Sequence, residues 1–144
     1  MDMEETQAFF ERYRDAFNAL DADTVADLWH VPSSITDTQP GDTAARVTLW
    51  NDDAAKRKNM HALCDVYVQA DYGRADFRFD HHLALGPNHA FVNVYWRLTR
   101  TDGSLLQEFH TAYHLLRTDE GPKVLMATAY EEDVARMKLE GLEH

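Results

Sequence analysis

Cysteine occurs only once, at Cys64, so an internal disulfide and a cysteine-built metal site are both excluded. Positive charge is also scarce. Fourteen Lys and Arg stand against 25 Asp and Glu, a formal charge of −11, and an anionic membrane or a nucleic acid is therefore not an expected partner, because phosphate binding needs a positive surface. The basic cluster Lys56-Arg57-Lys58 is neutralised by Asp52 and Asp53 and reads as a solvated helix end. No apolar run approaches the length of a membrane span, and no basic segment followed by an apolar core opens the chain, which leaves the cytoplasm as the expected location. Internal repeats, low-complexity runs and interdomain linkers are missing. So are a Gly-rich phosphate loop, a Ser-centred nucleophile elbow and a His-Glu-x-x-His motif. No metal or other cofactor is expected.

The residues that are present favour one folded domain. The chain has 144 residues, 44% of them hydrophobic and three of them Trp, enough for a sizeable core. The domain is expected to span residues 1–141. Leu142-Glu143-His144 resembles the start of a vector-encoded polyhistidine tag and is set aside, with no role for His144.

Asp2, with Glu5 three residues on, predicts a capped helix carrying Phe9, Phe10, Tyr13, Ala16, Phe17 and Leu20 on one stripe. A short helix is expected over Thr24–Trp29, stopped by Pro32. Strands are expected over Ser33–Thr38 and Arg46–Trp50. Asn51 or Asp52 caps a third helix that runs to about Tyr72 and aligns Met60, Leu63, Cys64 and Tyr67. From Ala75 to Tyr130 the turn signals Gly86-Pro87-Asn88, Asp102-Gly103 and Glu120-Gly121-Pro122 divide four long strands.

Those turns predict a register. A tight loop at Asp102-Gly103 pairs Thr101 with Ser104 and hence Val92 with Tyr113, Val94 with Thr111 and Trp96 with Phe109. A four-residue loop over Gly86–His89 sets Leu83 opposite Val92, His81 opposite Val94 and Phe79 opposite Trp96. Cross-strand partners share a face, so the inner face collects Phe77, Phe79, His81, Leu83, Val92, Val94, Trp96, Leu98, Phe109, Thr111, Tyr113 and Leu115. Arg78, Asp80, His82, Asn93, Tyr95, Arg97, Glu108, His110 and His114 fall on the other. His81, Thr111 and Tyr113 are the polar members of an apolar face, where chemistry would sit. His81 and His82 point to opposite faces and cannot share a metal. His110 and His114, four residues apart on a strand, are roughly 13 Å apart, too far for joint ligation.

The order helix, helix, strand, strand, helix and four strands gives an α+β domain. It resembles the nuclear transport factor 2-like superfamily, the cone fold of ketosteroid isomerases, scytalone dehydratase and SnoaL-like polyketide cyclases. The resemblance spans the chain apart from the tag. It is most specific in Arg12-Tyr13 through Asn18-Ala19-Leu20-Asp21-Ala22-Asp23, which is similar to the isomerases' first helix and the connection after it. It implies a curved antiparallel sheet with three helices on its concave face. It also implies an oxyanion-binding role for Tyr13, a general-base role for Asp37, and the place of a protonated acid, in those isomerases a hydrogen-bond donor to the enolate, for Tyr113. Leu20 stands where the family often has a helix-closing glycine.

The expected function is binding of a small, largely apolar organic molecule, with cofactor-free acid–base turnover of the isomerase, cyclase or dehydratase type by Asp37, Tyr13, Tyr113 and His81. The expected pocket wall is Phe17, Trp29, Cys64, Tyr67, Phe79, Trp96, Phe109 and Thr111, completed by Met126, Thr128 and Tyr130 of the last strand. The alternative is a non-catalytic binding or accessory domain whose polar interior residues serve packing. An Asp37 facing Tyr13 favours the enzyme; a turn-capping Asp37 favours the alternative. The outer face, with Phe91, Tyr95, His110 and His114, is expected to form a homodimer like the sheet-to-sheet dimers of the superfamily.

Overall fold

The computed structural model describes residues 1–133 together with Arg136 and Met137; the expected tag remnant lies outside them. Helix α1 covers Met3–Asn18, and its first turn is fastened by the Asp2 carboxylate, which accepts from the Glu5 amide at 2.9 Å. Thr6, Phe9, Phe10, Tyr13, Ala16 and Phe17 form its buried stripe. The helix closes with the Leu20 amide donating to Phe17 and the Asp21 amide donating to Ala16, which forces Leu20 to φ 52°. This is the paired-bond ending that glycine normally serves, adopted here by a leucine. Helix α2 spans Ala22–Asp27, two residues earlier than expected, because Asp21 rather than a later residue caps it through the Thr24 amide.

Strand β1 runs Trp29–Asp37 and β2 Arg46–Trp50. Pro32 therefore lies inside β1 instead of ending a helix. It occupies the stretch between Trp29 and Ser34 where the β1 ladder is irregular, so its missing N–H breaks no bond. Helix α3 covers Asp53–Gln69, capped by Asp52. Strands β3 (Tyr72–Leu85), β4 (His89–Arg100), β5 (Leu105–Thr118) and β6 (Gly121–Ala129) complete one curved, open sheet of order β2-β1-β6-β5-β4-β3. Among the described residues, only β1 and β6 pair in parallel. The core lies between the helices and one sheet face, where α1 aromatics meet Val92, Val94, Trp96, Phe109 and Tyr113. Phe10 touches six aromatic rings there: Phe9, Tyr13, Phe77, Phe79, Trp96 and Tyr113. Among the described residues, no helix is long and apolar enough to cross a membrane.

The β4–β5 register is the expected one: Val92 faces Tyr113, Val94 faces Thr111 and Trp96 faces Phe109. The turn that delivers it is different. Arg100 rather than Thr101 bonds to Ser104, so the loop has three residues, with Gly103 at φ 87°. A bulge at Leu106 then restores the count.

Two other bulges overturn expectations, since a single extra residue exchanges the faces of everything beyond it. In β3, Phe79 pairs with Val94 and His81 with Asn93, leaving Asp80 without an opposite residue. The Gly86–Asn88 loop also has three residues, Leu85 pairing with His89. His81 is consequently on the outer face and exposed, not on the inner face as the turn spacing predicts: His82 takes the inner position, with Nε2 3.0 Å from Thr6 Oγ1. The Thr6 hydroxyl donates to the Asp2 carbonyl, so it accepts from His82. Leu83 likewise turns outward and is exposed. In β6, Leu115 pairs with Val124 but His114 with Met126, so Leu125 is the extra residue. Met126, Thr128 and Tyr130 therefore lie outside the pocket wall, and Val124, Ala127 and Ala129 occupy the inner face.

Candidate functional site

Between the sheet and helices α1 and α3 lies a chamber of about 80 Å³. Tyr13 and Phe17 enter it from α1, Met60, Leu63 and Tyr67 from α3, Trp29 and Ile35 from β1, and Trp96, Phe109, Thr111 and Tyr113 from the central strands. Of the expected wall, Cys64 and Phe79 pack in the core without bordering the chamber. Asn59, Tyr72 and Glu132 border it unforeseen.

The two tyrosines expected from the resemblance do share this chamber, their ring centroids 6.0 Å apart. Each hydroxyl oxygen receives an indole N–H: Trp29 Nε1 donates to Tyr13 at 3.2 Å and Trp96 Nε1 donates to Tyr113 at 3.0 Å. An indole can only donate, so both tyrosines are acceptors in these bonds; the Tyr113 hydroxyl also interacts with Tyr13, and Thr111 with Tyr113. Burial pushes both phenols well above their ordinary range, with the indole bonds acting in the opposite direction. They are neutral donors at any working pH.

Among the described residues, the one carboxylate of the chamber is Glu132, three residues beyond the end of β6. Tyr67 donates to its Oε1 at 2.7 Å. Burial pushes the Glu132 carboxyl up to about 7; the Tyr67 bond acts the other way, and the charge of Asp37 adds to the rise. Sequence reasoning missed this residue because Glu131-Glu132 reads as a solvated acidic pair. The available signal was Tyr67, a hydroxyl on a buried helix stripe that had to find a partner.

Asp37 does not border the chamber. It lines an outer lobe of about 340 Å³ with Gln39, Arg46 and Thr48, which shares Ile35, Asn59, Leu63, Ala129 and Glu132 with the inner one. Its Oδ2 accepts from Arg46 at 3.1 Å and from Gln39 at 3.2 Å. Arg46 also pairs with Asp42 at 3.3 Å. Asp37 thus sits at the rim, half-buried and ion-paired, rather than facing Tyr13 across a dry pocket.

A curved open sheet with three helices over one face and a chamber beneath them defines a cone-shaped α+β domain. The chain belongs to the NTF2-like protein family DUF6841, whose model matches residues 4–132. No curated protein sequence matches it. Among solved structures, it is similar to an NTF-2 like protein of unknown function from Shewanella oneidensis MR-1, with a TM-score of 0.69 and 14% identity over 91% of this chain and 100% of that one. It is also similar to a domain of unknown function with a cystatin-like fold from Nostoc punctiforme PCC 73102, with a TM-score of 0.68 and 14% identity over 92% and 80% of the two chains. A ketosteroid isomerase-like protein from Erwinia carotovora atroseptica SCRI1043 gives a TM-score of 0.62 and 14% identity over 90% and 97%. At these identities the likeness is one of fold.

Proposed function

We propose that the protein binds a small carbonyl or phenol-type molecule and moves a proton on it, with Glu132 as the acid–base group and Tyr13 and Tyr113 as donors to the developing oxyanion. The observation that carries this reading is the pair of buried hydroxyls, each already accepting from an indole, that border one chamber with a carboxyl pushed up to about 7. A carboxyl in that range is present in both protonation states near neutrality, which suits proton abstraction and return. In the step proposed, Glu132 takes a proton from the carbon beside a carbonyl. The C–H electron pair forms the enolate C=C as the carbonyl π pair moves onto oxygen, where the two O–H groups hold it. Glu132 then returns the proton to another carbon of the same molecule. Asp37, expected to be the base, keeps a secondary part here: its charge holds Glu132 protonated to a higher pH.

Size narrows the ligand. Pockets for drug-sized molecules are roughly 300–1,000 Å³, and the inner chamber, at about 80 Å³, takes only a compact reacting group. The remainder of the molecule extends into the outer lobe, where Asp37 and Glu132 outnumber Arg46 and disfavour an anionic tail. Titration calorimetry with a panel of small phenols, as enolate mimics, tests the binding. Tyr13→Phe and Tyr113→Phe are each expected to weaken a phenol about tenfold without unfolding the protein. No binding to the wild type, or wild-type affinity in both variants, overturns the reading.

The engagement of Asp37 by Arg46 and Gln39 favours a second reading, a binding domain without turnover. Both readings are compatible with a homodimer across the outer face, which we also propose. Leu83, Phe91, Met126 and Tyr130 are exposed on that face, the first three bordering a groove of about 440 Å³. Sedimentation showing a monomer at micromolar concentration overturns the dimer.

A further inference from the structure

We infer that His110, on the opposite face of the sheet from the chamber, is a positioning residue for Glu132, acting through Glu131; this rests on the acid–base role proposed above for Glu132. The segment that carries Glu132 lies past the end of β6 and has no strand ladder to hold it. Side chains fasten it instead. Gln39 donates to the Glu132 carbonyl at 3.2 Å, and Gln107 both donates to the Asp133 carbonyl at 2.8 Å and accepts from its amide at 2.9 Å. On the outer face, one carboxylate oxygen of Glu131 accepts from the His110 backbone amide at 2.7 Å and meets His110 Nδ1 at 2.9 Å. Tyr130 stacks on the same imidazole, with centroids 6.2 Å apart and planes 13° apart.

The second imidazole nitrogen meets the carboxylate of Asp80, the bulge residue of β3. Ionised carboxylates only accept, so both contacts persist only when both ring nitrogens carry protons. His110 is therefore a cation bridging β3 to the segment beyond β6. The surrounding charge agrees. Asp80 and Arg78 face it from β3, Tyr95 from β4, Glu108 on its own strand through Tyr95, and Glu131 from the terminal segment. Glu131 and Asp80 together raise the His110 pKa above its ordinary value.

Glu131 forms a bend just after β6 and shares a peptide with Glu132; with the Glu131 side chain held on His110 and the Glu132 side chain on Tyr67 in the chamber, fixing the first restrains the backbone from which the second enters. With the imidazolium removed, Glu131, 45% exposed, is free to hydrate. The peptide it shares with Glu132 then keeps only the His110 backbone amide as its outer anchor. Raising the pH through the titration of His110 weakens the same bridge in the native protein, because a neutral ring can donate to only one of its two carboxylates.

The test follows the Glu132 carboxyl by NMR in protein labelled with ¹³C-glutamate, the resonance being identified by its loss in Glu132→Gln. His110→Asn and Glu131→Gln are compared with the wild type, with sedimentation and circular dichroism confirming equal assembly and fold. In His110→Asn the Glu132 titration is expected to move at least one pH unit toward the ordinary carboxylate range of about 4, and affinity for 4-nitrophenol is expected to fall three- to tenfold. Glu131→Gln, which keeps an acceptor for the His110 amide, is expected to show a smaller shift in the same direction. It also carries the test if His110→Asn does not fold. An unchanged Glu132 titration in the folded variants overturns the positioning role whatever the chamber binds. Absence of phenol binding to the wild type, with Glu132 titrating near 4, overturns instead the acid–base reading on which it rests.

Discussion

On the inner face of β5, Tyr113 meets an indole and is kept neutral by burial; three residues away on the outer face, His110 meets two carboxylates and is kept charged. Both are satisfied, but by different physics. The inner face meets the Tyr13 and Tyr113 hydroxyls with indole donors and the Glu132 carboxyl with a phenol, and burial pushes these three groups toward their uncharged forms. The outer face uses opposite charges at the surface, pairing Arg78 with Asp80 and His110 with Asp80 and Glu131, while the neutral Tyr95 hydroxyl donates to Glu108. The comparison teaches where free energy resides. Desolvated packing carries stability, whereas exposed ion pairs mainly carry orientation.

The largest expected effect is therefore on the inner face. Phe10→Ala removes a fully buried ring from its six aromatic neighbours and is expected to lower unfolding free energy by about 3–5 kcal/mol in urea titration. A loss below about 1 kcal/mol would show that the aromatic cluster is not the core it resembles.

A smaller effect separates the faces by pH and salt. The Glu132 carboxyl is higher in the folded protein than in the unfolded chain, so its contribution is fully present below about pH 4.5 and is lost as pH rises through about 7. His110 is also raised, and its contribution is likewise present below its ordinary value and lost as pH rises through the folded one. The signs agree although the causes are opposite, repulsion of a charge by burial in one case and attraction by carboxylates in the other. Salt distinguishes them, since only the exposed cluster is screened. Stability is expected to fall by on the order of 2 kcal/mol from pH 5 to pH 8, discounting Glu132 for partial exposure. Glu132→Gln is expected to remove the part of that slope that persists in 0.5 M salt, and His110→Asn the part that salt already suppresses together with the share of the Glu132 slope lost with its shifted titration.

Arg78→Ala, which breaks the Asp80 pair and a guanidinium placed 3.9 Å above the Tyr95 ring, is expected to cost less than about 1 kcal/mol. A larger loss would place real stability on the outer face. The smallest expected change belongs to the rim, where Asp37→Asn lowers the Glu132 titration by removing a nearby negative charge, without altering the fold. NMR titration of the labelled carboxyl measures it.

The central hairpin was legible in the sequence because its alternation runs unbroken from Val92 to Leu98 and from Phe109 to Leu115, and an apolar face tolerates only one parity. The helices were legible from Asp2, Asp52 and the apolar spacing that follows them. The positions of His81 and of Met126, Thr128 and Tyr130 were not, because the bulges at Asp80 and Leu125 leave no compositional mark. Asp80 is drawn out by His110 and Arg78, contacts that form only after distant strands meet. Tyr13 and Tyr113 were legible as chamber residues from the resemblance and the β5 parity together. Glu132 was not, since its burial depends on a tyrosine 65 residues away in the chain.

The bulges also bear on which changes of chain length the sheet can absorb. Leu125 faces no partner in the β5–β6 ladder, so its deletion would join two segments already in matching register and leave Val124 and Ala127 pointing inward. Deleting Asp80 would be equally silent for the faces of Phe79 and His82, although it would strip His110 of a carboxylate. Removing Arg78 instead would send Phe77 to solvent. Such silent positions let a lineage gain or lose a residue within a strand while its backbone stays superimposable, and gaps between related chains belong at bulges as naturally as at loops.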